Sequence, residues 1–291
     1  MTTKHPRFHR RALAALLMLA LACALWWGNT SIQTDEFVFS SARVPAGFDG
    51  FRLVQLSDLH GRSFGADNAR LLDAVRTAQP DAILLTGDLV DRSTDAPANY
   101  AAALGASLSA IAPTYYVTGN HEWGLGPAAV EQLKAALRES GVTVLTNEFI
   151  RLERGGDTLL LAGIDDPNGY ADQKTPAQLA REVYAAGDAP FWLLLAHRNN
   201  AFSGGYCRLG ADLTLSGHAH GGIWRFPFTD GFIDTAMTLF PSFTSGFYHC
   251  TDADCEGAEV FVSRGLGNSP RFVPRIFNRP QVAVITLERE G

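Results

Sequence analysis

Cysteine is scarce in this chain, with four residues among 291. That excludes a small fold stapled by several disulfides, and no set of Cys and His falls at zinc-finger spacing. Charge is limited too, at 19% of residues, and basic charge is the scarcer sign: 24 Lys and Arg against 30 Asp and Glu. The first thirty residues hold Lys4, Arg7, Arg10 and Arg11 and no acid, leaving 20 basic against 30 acidic residues beyond them, a net of −10. So acidic a body argues against a nucleic-acid binder held by phosphate contacts. It leaves room for chemistry on phosphates where metal ions supply the positive charge. Internal repeats and low-complexity tracts are absent, and the body contains no clear linker.

At the N-terminus, "KHPRFHRR" leads into "ALAALLMLALACALWW", sixteen residues without charge. The run is longer than most signal-peptide cores and slightly short of the roughly 20 residues of a membrane span. Trp26 and Trp27 suit a membrane interface, and the arginines ahead of the run suit the cytoplasmic side. We expect residues 1–35 to be an uncleaved signal anchor and linker, with the body, 36–291, on the far side of the membrane. Arg10-Arg11 also has the look of a twin-arginine export signal. Cys250 and Cys255 flank "TDAD", a short loop that a disulfide closes if the body lies in an oxidising compartment.

Past the linker "GNTSIQTDEF", "FRLVQLSDLHG" reads as a strand ending in a polar loop. "NARLLDAVRTAQP" has helical spacing and a proline stop, and "DAILLTGDLVD" is a short apolar run suited to a strand buried on both faces. A helix ("YAAALGASLSAI"), a strand running into a loop ("PTYYVTGNHEWG") and a further helix ("PAAVEQLKAALRESG") follow. Strand and helix alternate as in a parallel α/β sheet, whose site forms at the strands' carboxyl ends. The second half is richer in strands, among them "FWLLLAHRNN", "ADLTLSGHAHGG", "GAEVFVSRGLG" and "QVAVITLERE", with a helix at 175–186.

Five of these strand-like runs end in metal-ligand chemistry. Asp58 and His60 lie in "SDLH", Asp88 in "TGD", Asn120 and His121 in "TGNHE", His197 in "LLAH", and His218 and His220 in "SGHAH". One such ending is usually a turn; five at the same end of five strands are not. In extended chain, residues i and i+2 point the same way, so Asp58/His60 and His218/His220 each read as a two-armed clamp. Gly217, Ala219 and Gly221 would then let backbone and substrate come close.

The order D-x-H, GD, GNH[ED], a later H and GHxH, with gaps of 30 and 32 residues between Asp58, Asp88 and Asn120, resembles the calcineurin-like metallophosphoesterases. The resemblance runs from about Phe51 to the end. "VSRGLGNS" and "NRPQVAVITL" add likeness to a membrane-associated or exported bacterial branch resembling the YkuE and YaeI phosphoesterases. It implies an α/β fold, a four-layer α/β/β/α sandwich of two mixed sheets flanked by helices, here preceded by one anchor helix. It implies a dinuclear site in which Asp58, His60 and His220 hold one metal, Asn120, His197 and His218 the other, and Asp88 bridges them. The ligand types suit Mn²⁺, Fe²⁺ or Zn²⁺. Such a pair binds a phosphoryl oxygen and lowers the pKa of water between the ions, and His121, which is no ligand in this scheme, assists the leaving group.

Around that set, Asp91, Glu122 and Asp166 read either as acceptors that orient the histidines or as surface acids, and Arg62 and Arg264 either as phosphate contacts or as ordinary structural arginines. "HRNN" after His197 departs from the branch's "HNP" or "HDP", and Gln281 stands where a Glu is usual. The stretch "GGIWRFPFTDGFIDTAMTLFPSFTSGFY" reads either as core strand with a covering loop or as a lipid-facing rim. The expected activity is therefore that of a phosphodiesterase on a phosphoester substrate, which is lipid-linked in the rim reading. The expected location is the bacterial inner membrane, single-pass, with the catalytic domain on the periplasmic side. Two alternatives stand beside it: a UDP-diacylglucosamine-type pyrophosphate hydrolase, which needs a cytoplasmic body, and a non-catalytic metal-binding envelope protein.

Overall fold

The computed structural model describes residues 6–187, 190–226, 230–234, 237–250, 255, 258–269 and 272–291. Its chain opens with a 25-residue helix, α1 (Pro6–Thr30). Residues 9–30 of it are long and apolar enough to cross a membrane by length and composition, with mean hydropathy 1.8 and none of that window buried.

Two six-stranded sheets follow. The first runs in the order β1 (Gln33–Ser41), β14 (Gln281–Arg289), β2 (Phe51–Leu56), β3 (Ala82–Thr86), β4 (Thr114–Val117) and β5 (Thr143–Val144). Only the β14–β2 pair is antiparallel. The second runs β12 (Gly246–His249), β13 (Glu259–Val262), β9 (Leu213–Gly217), β8 (Trp192–Arg198), β7 (Asp157–Gly163) and β6 (Glu148–Arg154). Its outer pairs, β12–β13 and β6–β7, are antiparallel. A two-stranded ribbon, β10 (Trp224–Arg225) and β11 (Gly231–Ile233), stands apart.

Period-two alternation explains the layers. Leu53, Leu84, Val117 and Ile285 face inward and meet Leu161, Leu193, Leu215 and Phe261 of the second sheet. Their strand neighbours Val54, Leu56, Ile83, Leu85 and Tyr116 face outward, against α2 (Ala69–Thr77), α3 (Pro97–Ser109) and α5 (Pro127–Glu139). Across the molecule, Leu160, Trp192 and Leu194 carry α6 (Pro176–Ala185) through Leu179 and Val183. Thr175 and Gln178 cap that helix reciprocally, the amide of Gln178 donating to Thr175 Oγ1 and that of Thr175 to Gln178 Oε1. This is the four-layer α/β/β/α sandwich of two mixed sheets.

Two expectations need correction. The segment read as linker includes the start of β1: the body begins at Gln33, not residue 36, because residues 33–41 pair in parallel with β14 along their full length. Its alternation, with Phe39 buried and Val38 exposed, is that of a strand with one wet face. "GNHE" is also not a loop. Asn120–Trp123 forms one helical turn, α4, because Glu122 bends back to accept the amide of Gly119 at 2.8 Å.

One ionic clamp joins the two halves near the carboxyl ends of the strands. Lys134 on α5 is 1% exposed and donates to Asp165, in the turn after β7, at 2.7 Å. Asp165 also accepts from the hydroxyl of Thr118 at 2.8 Å. Removing one partner strands the other charge without solvent. Lys134→Met should cost about 3 kcal/mol or more, a fall in Tm of roughly 6–12 °C for a body of this size. Adding Asp165→Asn, which keeps an acceptor for Thr118, should recover much of the loss in thermal denaturation.

Candidate metal centre

All seven expected ligands converge where β2, β3, β4, β8 and β9 end, five of them on strained backbone. Asp58 (φ 54°), His60 (51°), Asp88 (53°), His218 (69°) and His220 (49°) all have left-handed conformation. The two clamps are therefore not extended chain. Each arm is presented by its own left-handed residue, at a cost of roughly 1–3 kcal/mol apiece that the surroundings must offset.

Backbone zipping supplies the offset. The amides of Asp58, His60 and Gly61 donate to the carbonyls of Gly87, Asp88 and Leu89 at 3.0, 2.9 and 2.7 Å, locking the two ligand loops together. The amide of Gly267 donates to the Asp58 carbonyl at 2.6 Å, and those of His218 and His121 donate to the carboxylates of Asp58 and Asp88. Close approach makes glycine necessary at Gly87, where φ is +89° and a Cβ would lie 2.8 Å from both Gly119 Cα and His197 Nδ1. Gly217 is small for a like reason: a Cβ there would strike Ser57 and Asp58. The protein's own loops, rather than substrate, occupy the space it leaves.

In the first donor cluster, His60 Nε2 lies 3.2 Å from His220 Nε2, and His220 Nε2 lies 3.5 Å from Asp58 Oδ1. The second has His197 Nε2 at 3.2 Å from Asn120 Oδ1 and 3.3 Å from His218 Nδ1. Asp88 Oδ2 touches both, 3.7 Å from His60 Nε2 and 3.2 Å from His197 Nε2. Two nitrogens bound to one ion at about 2.1 Å would stand roughly 3.0–3.4 Å apart. The donor set therefore fits two ions side by side, with Asp88 common to both. Asp58, His60, Asp88 and His197 are buried. His121 is half-buried, its ring edge-on to His60 at 4.7 Å, and its donor atom falls within 4.8 Å of those of His60 and Asp88.

The orienting residues divide differently from the expectation. His197 Nδ1 lies 2.8 Å from the carbonyl of Thr86, a contact that places the N–H there and frees Nε2 for the site. Asp91 reaches a histidine, with Oδ2 at 3.4 Å from His60 Nδ1. Burial alone would push the Asp91 carboxyl up, but the bonds with His60 and Ser93 outweigh it and hold the group well below the usual carboxylate range. Glu122 instead accepts from the amides of Asp88, Val90 and Gly119, and burial together with the charge of Asp88 pushes it up to about 7. Asp166 is taken by a two-pronged bond from Arg198, at 2.6 and 3.0 Å. That bond is what the arginine of "HRNN" does.

Arg62 and Arg264 also part company. The guanidinium of Arg62 donates to the Asn29 carbonyl and to Asn268 Oδ1, and lines a cavity of about 460 Å³ beside His60. That of Arg264 donates to Asp35 of β1 at 2.6 Å, and the residue lines none of the three cavities that border His60, His121 and His218. Gln281 donates to the same Asp35 oxygen at 2.7 Å, which a glutamate could not do. Cys250 and Cys255 are joined as a disulfide, and buried Cys207 brings its sulfur within 3.0 Å of Cys255. The intervening residues 251–254 lie outside the described set.

Two residues escaped sequence reasoning. Arg275 is 2% exposed and donates to the carbonyls of Gly267 (2.5 Å) and Arg264 (2.8 Å), and Asn278 donates to the carbonyl of His220 at 2.7 Å. Together they pin the loop that carries the last histidine. If Asp91 orients His60, then Asp91→Ala should weaken one metal position 10- to 100-fold and leave the other. Metal titration followed by elemental analysis would show one tight ion per chain where the unaltered protein holds two.

The calcineurin-like phosphoesterase family model matches residues 51–222. YkuE, an uncharacterized metallophosphoesterase of Bacillus subtilis, is 30% identical over 263 residues, 88% of this chain and 86% of its own length. YkoQ of the same organism is 28% identical over 79% of this chain and 81% of its own. A bovine transmembrane protein with a metallophosphoesterase domain is 31% identical over 84% of this chain, which spans 55% of it. Among solved structures, the NAD nucleotidase of Haemophilus influenzae shares the fold at TM-score 0.50 and 16% identity, over 74% of this chain and 45% of that one. The chain belongs to the calcineurin-like phosphoesterases and is a metal-dependent phosphoester hydrolase.

Proposed function

We propose that the protein is a membrane-anchored phosphodiesterase in which Asp58, His60 and His220 hold one divalent ion, Asn120, His197 and His218 hold a second, and Asp88 joins them. One observation carries the reading: Asp88 Oδ2 stands at the seam of two donor clusters, within 3.7 Å of His60 and 3.2 Å of His197. Ions of Mn²⁺, Fe²⁺ or Zn²⁺ suit these ligand types and would supply Lewis-acid polarisation of the phosphoryl group and a water of lowered pKa.

The preference for diesters is supported by room on both sides of the cluster. A cavity of about 460 Å³ borders His60, and one of about 520 Å³ borders His121 and Asn120. A monoester has only one substituent to place. Arg62 lies beside the first cavity, where its charge would attract a phosphate oxygen. His121 faces the second, in place to give a proton to the departing oxygen. Burial lowers its pKa from 6.5, and the charge of Asp88 opposes that shift. An anionic phosphate would act in the same sense as Asp88. Donation needs the imidazolium, so the competent fraction falls as pH rises.

Anchorage through α1 at the bacterial inner membrane, with the body on the periplasmic side, is the reading that the apolar helix and the basic residues before it support. Exposed Met237, Leu239 and Phe240 in the aromatic stretch after the histidine pair favour a lipid-linked diester over a soluble one.

Full-length protein stripped of metal and offered bis-p-nitrophenyl phosphate and p-nitrophenyl phosphate tests the reaction. Added Mn²⁺, Zn²⁺ or Fe²⁺ should restore turnover and favour the diester; restored turnover of the monoester alone would overturn the reading. Asp88→Asn should abolish paired metal loading and turnover together. His121→Ala should keep both ions, slow esters with poor leaving groups the most, and lose the decline of kcat/KM with rising pH. Loss of metal from His121→Ala would make that residue a ligand instead.

A further inference from the structure

The last turn of α1 is bolted to the body rather than hung from it. The Oδ1 of Asn29 accepts from the amide of Arg275 (2.8 Å) and from Asn268 Nδ2 (3.1 Å), and its Nδ2 donates to the carbonyls of Arg275 (3.0 Å) and Leu25 (2.7 Å). Arg62 donates to the Asn29 carbonyl. Arg279 donates to Ser31 Oγ and the Ile32 carbonyl, both at 2.7 Å, and covers the ring of Trp27 at 4.4 Å. These partners adjoin the metal centre: Arg62 follows His60 by two residues, and Arg275 approaches the His220 carbonyl at 3.4 Å. A tether needs none of this. A wall that must keep its distance from a reacting phosphorus does.

The wall has a face. Leu25 and Trp26 line the cavity of about 460 Å³ that reaches His60, with Leu59, Phe272 and Pro274 as its other apolar members. The cavity beside His121 is bordered by Asp91, Arg92, Ser93 and Asn120, with Phe272 at its edge. Phe272, 85% exposed, borders both and divides them. The α1 side is thus framed mainly by aliphatic and aromatic residues, whereas the charged side chains of Asp91 and Arg92 stand on the His121 side, where the leaving oxygen would depart. Trp26 also belongs to the end of the apolar run, the level at which a spanning helix leaves the hydrocarbon. The aromatic stretch is tied to the same place, since Trp224 Nε1 donates to the Pro274 carbonyl (3.0 Å) and the Arg225 amide to that of Ile276 (2.9 Å).

We propose that the cavity between α1 and His60 is an alkyl-chain site: the substrate is an amphiphilic phosphodiester whose apolar arm lies against Leu25 and Trp26 while its polar arm faces His121. The proposal rests on the phosphodiesterase reading above and assigns the membrane helix a part in choosing substrate. Hydrolysis breaks the bond from phosphorus to the polar arm's oxygen as water oxygen bonds to phosphorus, the proton going to the departing alcohol. The phosphate stays on the apolar arm.

The test uses full-length protein with Mn²⁺ in phosphatidylcholine vesicles and two probes that share a leaving group, dodecyl p-nitrophenyl phosphate and methyl p-nitrophenyl phosphate. Each methylene buried is worth about fourfold, so a few of them should give the dodecyl ester a kcat/KM advantage of about 10- to 100-fold. Partition of the longer probe into the vesicle also favours it, and variants on the same anchored helix separate that effect. Leu25→Ser with Trp26→Ala should cut the dodecyl-to-methyl ratio about tenfold, whereas Leu17→Ala, outside the cavity, should leave the ratio as it was. An equal ratio in the paired variant and the unaltered protein overturns the alkyl-chain site while leaving the phosphodiesterase intact. Failure to hydrolyse either diester sinks both.

Discussion

A single carboxylate, Asp88, stands between two groups of imidazoles, and the strand ends around it are arranged to keep it there. Its Oδ2 faces His60 and His197, its Oδ1 accepts the amide of His121, and its own amide donates to buried Glu122. Five residues of the cluster adopt left-handed backbone that most residues avoid, and that conformation persists because neighbouring loops share amide-to-carbonyl bonds. The sandwich is the scaffold for this concentration of strain: the two sheets bury a common apolar layer to which β2, β3, β4, β8 and β9 all contribute, so their carboxyl ends cannot drift apart.

Around that core the charges are allotted by distance. Lys134 and Asp165 clamp α5 to the turn after β7, Arg198 is committed to Asp166, and Arg264 to Asp35. Arg62 alone of the two arginines named as phosphate contacts borders a cavity at the metal centre, and it also holds the end of α1. The same side chain thus links the apolar helix α1 to the cavity beside His60. The position of α1 and the shape of the site are therefore one problem, not two.

That Asp58, His60, Asp88, Asn120, His197, His218 and His220 gather at one place was legible in the sequence because chemistry is local there. Each lies within four residues of the end of an apolar strand, and strand ends in α/β sheets gather at one edge. What it hid is non-local. The start of β1 reads as linker because half its residues face water, and only its pairing with β14, some 250 positions later, identifies it. Asn29 meets Arg275 and Asn268 across a comparable gap, which no local pattern announces. The partners of Glu122 and Asp166 are hidden for a subtler reason. An acid near a histidine in sequence is an orienting candidate, yet Glu122 turns to backbone amides and Asp166 to the arginine that replaces the more usual asparagine or aspartate after His197. Even the clamps D-x-H and H-x-H succeed for another reason than alternation, since left-handed turns and not extended chain bring their arms together.

The central claim is that Asp88 joins two ions in one centre. Electron paramagnetic resonance of the full-length protein loaded with two Mn²⁺ per chain measures this directly, since ions sharing a carboxylate couple magnetically. The account predicts the spectrum of an exchange-coupled pair, replaced by that of isolated ions in Asp88→Asn. A spectrum of isolated ions in the unaltered protein, at the same loading, would contradict it.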